Sequence, residues 1–253
     1  AEQNMVNYAT GQALAGKQVF CYSIANFPTF RCAEQLRNGV GYHNLPVCIV
    51  SVGGGLAYGA MGYSHHAVED YGLMRLLIGF TIYSPIDPEG VSRCMKTILN
   101  ANSPAYLRLH KAGEPIIDIE ERLSLSCLIL RKSSSKRILV LTTGNITKRA
   151  LEIFEKRDYT CVAVEAWGNN IDDSLIRVMK EYEYIVTFED HILAGGFGSW
   201  IGEICMQKGI KKEIIPVYIE RPKDGLVGSE SFLLSKENIL NMDNLKRLEE
   251  AIK

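Results

Sequence analysis

The sequence predicts an α/β protein of two domains, each a mostly parallel sheet with helices on both faces. Three observations predict it. Helix-spaced and strand-length apolar segments alternate along almost the whole chain. The alternation loosens once, over residues 111–121, where Gly113, Pro115 and clustered acidic residues place a boundary near residue 120. A length of 253 residues and 28.2 kDa suits one large domain or two ordinary ones.

In the first half, residues 4–15 have helical spacing and stop at Gly16, a helix-end signal. Residues 19–24 read as a short strand, 29–40 as a helix, and 47–52 as a buried strand that runs into glycines. Residues 68–77 are helical and 81–84 a strand. Residues 88–100 form a helix with Pro88 in its first turn, where a missing N–H costs nothing, and 105–109 a further strand. Past the boundary, 125–130 and 138–142 are strands around a polar turn, Arg131 to Lys136. The alternation then resumes: helix 145–156, strand 160–164, helix 173–181, strand 184–188, helix 197–208, strand 214–219 and a charged final helix over 242–252.

Composition narrows the function. With 28 basic and 29 acidic residues the net charge is −1, so bulk attraction to nucleic acid or an anionic membrane is not expected. No apolar run approaches the roughly 18 residues that span a bilayer. The start, Ala1-Glu2-Gln3-Asn4, is polar and unlike a signal peptide. The seven cysteines include no Cys-x-x-Cys pair, which points to buried free thiols in the cytoplasm rather than to disulfides or a zinc ribbon.

Chemistry concentrates after the strand at 47–52. Gly53-Gly54-Gly55 permits positive φ and close approach of a ligand, although a tight turn is the plain alternative. The following loop delivers His65 and His66 to a helix start, and imidazoles can exchange protons near neutral pH. Adjacent positions point in different directions, so the two differ in role; polar helix-start residues are the alternative. His66 and Asp70 are four apart, but zincin spacing is absent, so no metal site is expected. Gly195-Gly196-Phe197-Gly198 lacks the Lys-Ser/Thr of a phosphate loop and reads as a turn before a helix. Glu2 either favours a helix dipole or, if buried at a cofactor, takes a raised pKa and shares a proton with a ring nitrogen. Its position alone leaves both open.

Together these segments resemble the transketolase family of thiamine-diphosphate enzymes, over essentially the whole chain. The strings that carry the resemblance are Ala-Glu-Gln-Asn-Met at 1–5, Ala25-Asn26-Phe27, Glu34-Gln35-Leu36-Arg37-Asn38, Gly53-Gly54-Gly55-Leu56, Ser64-His65-His66, Glu69-Asp70, Ser84-Pro85-Ile86-Asp87-Pro88, and residues 108–115 and 186–199. The resemblance implies a pyrimidine-binding domain over 1–120, lacking its N-terminal portion, and a transketolase C-terminal domain over 121–253. It implies transfer of a two-carbon ketol unit between sugars or sugar phosphates. Glu2 matches the glutamate that bonds N1′ of the aminopyrimidine and so activates the cofactor. Phe27 matches the aromatic stacked on that ring, with Ile24 and Phe30 completing the pocket. His65 matches a catalytic, sugar-contacting histidine, with His66 beside it in substrate binding. Lys111 stands where the family places a phosphate-binding arginine, and serves as a point charge without the fork.

Two departures put the usual sugar phosphate in doubt: Met61 replaces an aspartate that reads sugar hydroxyls, and Gly53 a histidine. The family's Gly-Asp-Gly motif for diphosphate and magnesium is absent, and Asn169-Asn170 lies in the wrong half to serve it. The resemblance therefore implies a split enzyme. A partner N-terminal subunit would supply the diphosphate-binding domain and hold most of the Mg2+, and the pairs would assemble into a heterotetramer in the cytoplasm, without nucleic acid or membrane. The alternatives are the β subunit of a 2-oxo-acid dehydrogenase E1, a 1-deoxyxylulose-5-phosphate synthase-like activity, and a non-catalytic scaffolding subunit.

Overall fold

A computed structural model of the chain describes residues 1–169, 171–221, 225–236 and 239–251. Asn170 and Ile252, the expected end of the last helix, lie outside them. Helix α1 (Glu2–Leu14) leads into β1 (Val19–Ile24), and the first sheet continues with β2 (Val47–Val52), β3 (Thr81–Tyr83) and β4 (Ala105–Leu109). The strand order is β1-β2-β4-β3, all parallel.

The helix expected over 29–40 is broken. It forms as α2 (Asn26–Phe30), a single turn α3 (Ala33–Gln35) and a π-helical turn, Leu36–Gly41. Thr29 lies within α2, and its hydroxyl donates back to the carbonyls of Ala25 and Asn26. Cys32 then leaves helical dihedrals at φ −110°, ψ 9°, so the chain must restart. Helix α4 (Asp70–Leu76) begins two residues later than the pattern suggests. Helix α5 (Pro88–Ala101) starts at Pro88 as read, capped by Asp87, which accepts the Gly90 N–H at 2.6 Å.

The second sheet is built around β7 (Ile138–Thr142), β8 (Thr160–Val164), β10 (Tyr184–Phe188) and β11 (Glu213–Ile219), which are parallel. Strands β5 (Glu121–Arg122), β6 (Cys127–Arg131) and β12 (Leu240–Asn241) pair antiparallel at its margins. Consecutive β6 and β7 are not neighbours, because β8 lies between them. Just after β8, the short β9 (Ala166–Trp167) leaves this sheet and pairs antiparallel with β3 of the first, Ile82 opposite Trp167. Among the described residues, the helices of this half are α6 (Thr147–Phe154), α7 (Asp173–Glu181), α8 (Phe197–Gln207), α9 (Glu230–Ser235) and α10 (Asp243–Ala251).

Alternate strand residues sort into separate cores. Ile49, Ile82 and Tyr106 of the first sheet share one apolar cluster with Leu139, Leu141 and Ile185 of the second, filled out by α1, α7 and α8. The opposite faces are covered by α5 on the first sheet and by α6 and α10 on the second. Both faces of β7 and β8 are buried, as parallel strands require. All seven cysteines are free and buried. Among the described residues, no helix is long and apolar enough to cross a membrane.

Candidate active site

Strand β2 ends at Gly53, whose φ of +88° turns the chain sharply, and the Tyr58 ring occupies the space a Cβ would need. The N–H groups of Gly53 and Gly54 both donate to the Leu109 carbonyl, at 2.8 and 3.1 Å. Gly55 and Ala67 exchange backbone hydrogen bonds at 2.9 and 2.8 Å, which closes residues 55–67 into one loop. Within it, 3-10 turns at Gly59–Met61 and Tyr63–His65 are separated by Gly62, φ +82°. The histidines therefore do not open a helix, as the sequence suggests. His65 ends a 3-10 turn and His66 is extended, because Ala67 is committed to Gly55 and the helix must wait for Asp70.

Three of the anticipated residues meet in a row through a fourth. The Arg31 guanidinium donates to the Glu2 carboxylate at 3.1 Å and lies over the Phe27 ring, 4.4 Å from its centroid. Phe27 meets the His65 ring edge-on at 5.4 Å. The Ser64 hydroxyl is 3.0 Å from His65 Nδ1. Asn26 ties the loop to α2 by donating to the His66 carbonyl at 2.7 Å and the Ser64 carbonyl at 3.3 Å. Its own Oδ1 is buried without a partner. Glu2 is 19% exposed, and its own backbone N–H, then Arg31, then the Ala1 amino group hold its carboxyl below the ordinary value. In this state Glu2 is an ionised carboxylate, not a raised-pKa acid.

The remaining candidates lie apart from that row. Ile24 is the half-buried last residue of β1, and Phe30 is 50% exposed at the end of α2. His66 is 1% exposed, with Nε2 3.1 Å from the Gly59 carbonyl, so its ring belongs to the interior rather than to an open substrate surface. Lys111 is exposed and places its ammonium 4.7 Å from the Tyr58 ring centroid.

Beneath the loop is a buried ion cluster. Arg108 on β4 bonds Asp70 at 2.8 Å, Asp190 at 2.6 Å and the Ala67 carbonyl at 2.7 Å. Tyr106 donates to Asp70 at 2.6 Å. The Tyr71 ring carries the Arg108 guanidinium at 4.1 Å and the stacked His191 ring at 5.2 Å. Side chains at Gly54 and Gly55 would run into Arg108 and Asp190, so those glycines answer to this cluster as well as to the turn. Arg108 and Asp70 stand in the quoted strings, but separations of 38 and 82 residues to their partners hide the cluster from local reading.

Next to Asp190, Glu189 accepts the N–H groups of Phe197 and Gly198, at 2.6 and 2.8 Å, where α8 begins. The glycine turn at 195–198 thus presents its helix N-terminus to the chain's own carboxyl group. Burial, opposed by those two donors, pushes Glu189 up to about 8. Burial also lowers His191, which favours its neutral form. On the other side of the loop His110 stands 2.9 Å from Glu230 and 3.2 Å from Glu114. Burial alone would lower His110, but the two carboxylates outweigh it and raise it to about 9.

Comparison with known proteins gives this geometry a context. A family profile described as the transketolase pyrimidine binding domain matches residues 1–114. A putative transketolase C-terminal section from Methanocaldococcus jannaschii is 31% identical over 225 residues, which cover 87% of this chain and 71% of that protein. One of the subunits of an apulose-4-phosphate transketolase from Actinobacillus succinogenes is 29% identical over 214 residues, covering 83% of this chain and 69% of that one. A solved structure described as a split gene transketolase, inactive beta4 tetramer, superposes with a TM-score of 0.80 at 26% identity and covers all of this chain and 81% of its own.

Proposed function

The chain belongs to the transketolase family, and from that premise we propose that it is the C-terminal subunit of a two-chain, thiamine-diphosphate-dependent transketolase, with a pyrimidine-binding domain over 1–120 and the family's C-terminal domain over 121–253. The observation that carries this reading is the row Glu2, Arg31, Phe27, His65. Arg31 supplies a planar, nitrogen-bearing group that stacks on Phe27 while it hydrogen-bonds Glu2. An aminopyrimidine asks for the same pair of contacts, so the residues fit the cofactor's ring. When bound, thiamine diphosphate supplies the carbanion chemistry that breaks and forms the ketol bond.

The chain's own groups then divide the work. Glu2 holds a proton against the ring nitrogen, and exchange of Arg31 for that nitrogen removes the first side-chain partner that keeps its carboxyl ionised. Phe27 orients the ring, flanked by Ile24 and Phe30. His65, edge-on to Phe27, hydrogen-bonds substrate oxygens and moves protons there. Lys111 offers charge to an anionic sugar. His66 supports the loop through Gly59 and drops out of the substrate contacts.

The relatives described as a transketolase C-terminal section and as a split-gene transketolase support a partner subunit that holds the diphosphate and Mg2+, with the active site formed between chains. Exposed Tyr8, Leu14, Tyr22 and Tyr42 are apolar surface suited to cover by such assembly into a heterotetramer. The inactive β4 state of the split-gene relative supports a need for the partner. Seven unpaired buried thiols support a reducing, cytoplasmic setting.

Calorimetric titration of thiamine diphosphate with Mg2+ tests the reading. Binding is expected for the reconstituted pair and not for this chain alone; tight binding by the single chain would refute the split site. In the pair, Glu2→Ala is expected to lose on the order of a hundredfold or more in turnover. Full activity of that variant would identify a scaffolding subunit instead.

A further inference from the structure

The loop that carries His65 is fastened from outside by a segment of the second sheet's half of the chain. Arg221, just after β11, pairs with Glu69 at 3.2 Å. The Gly228 N–H donates to the Gly59 carbonyl at 3.3 Å, the same oxygen that receives His66 Nε2. Val227 lies against Gly62, between the two 3-10 turns, within 3.4 Å of where a Cβ would stand. Glu230, the first residue of α9, meets His110 at 2.9 Å. Leu233 is fully buried in a small cluster with Leu56 and Val68, which bracket the loop, and with Ile219 and Ile239. Gly59 has no room for a methyl group, because Leu233 and the Gly228 carbonyl, 2.6 Å from that position, already fill the space.

Fastening of this kind has a use. The turns at 59–65 contain no regular backbone ladder of their own, and Met61 and Tyr63 are more than half exposed. A loop so placed is held by what is bolted to its carbonyls and to its apolar underside. Residues 227–233 meet Gly59, Gly62, the bracketing leucine and valine, and His110.

We propose that residues 227–233 act as a positioning strap, by which the C-terminal half of the chain sets the His65 turn, and with it the substrate side of the site. The proposal rests on the role given to His65 above. Val227, 50% exposed, meets the loop at Gly62, between the exposed Met61 and Tyr63.

Two variants of the full chain unfasten the strap by different means. Glu230→Ala removes the clasp on His110, and Gly59→Ala puts a methyl group where Leu233 and Gly228 now lie. In both, amide exchange over residues 57–67 is expected to rise on the order of tenfold. The ring resonance of His65 in 13C-histidine-labelled chain, set in part by the edge-on Phe27, is expected to move while that of His43 stays. Unchanged exchange together with an unmoved His65 resonance in both variants overturns the strap. In the reconstituted pair with β-hydroxypyruvate as donor, Glu230→Ala is expected to lower turnover on the order of tenfold, and to add nothing in a His65→Ala background. Additive losses overturn the strap and leave the role of His65 standing; a fully active His65→Ala overturns that role and the strap with it.

Discussion

Glu189 ties the stability of the fold to pH. Its carboxyl, ordinarily near 4.5, is raised to about 8 in the folded chain, chiefly by burial. Between those values the folded chain holds a proton that the unfolded chain has released. The contribution of Glu189 to stability is therefore full below about pH 4.5, falls by up to about 1.4 kcal/mol per pH unit as pH rises, and is gone above about pH 8. Glu189→Gln is expected to flatten that slope between pH 5 and 6.5, which urea midpoints at the two pH values would read directly; an undiminished slope would assign it to another group. Single residues were unevenly legible. Glu2, Phe27 and His65 stand out in their local strings, and the structure places them in one row. Arg31 lies within the same stretch, yet its reach back over 29 residues to Glu2 leaves no local pattern. His110 is a single histidine in a strand exit, and only the fold brings Glu230 to it.

Between elements, the joint of β4, α4 and the turn after β10 is made by charges. Arg108 is buried with Asp70 and Asp190, and removal of Asp190 leaves the ion pair with Asp70 but takes the charged acceptor from Arg108 Nη1 in a site closed to water. Asp190→Ala is expected to cost about 1–3 kcal/mol, measured as the shift of a denaturation midpoint against the wild type. A loss under 1 kcal/mol would mean that the guanidinium finds water or another acceptor. Elements were legible where their own sequence decides them. The apolar run 138–141 of β7 is buried on both faces, and Pro88 announces the first turn of α5. They were not legible where a neighbour decides. The two residues of β9 are a strand only because β3 lies beside them, and α9 exists as the underside of the strap. Residues 29–40 failed as one helix because the chain leaves helical dihedrals at Cys32 and has to restart.

Across the whole molecule, one apolar cluster runs through both sheets, so the boundary expected from the sequence near residue 120 meets no division of the core. Every cysteine lies inside that packing or its satellites. Burial raises Cys48, Cys127 and Cys161 to about 12 and Cys32 to about 11, so almost no thiolate exists at neutral pH to attack a reagent. The folded chain is expected to ignore an aromatic disulfide reagent and the denatured chain to consume seven equivalents; several fast-reacting thiols under native conditions would contradict the packing. The seven thiols thus form an internal clock of conformational opening. Each becomes visible only when its own part of the chain gives way, and the order in which they are trapped would report how the molecule comes apart.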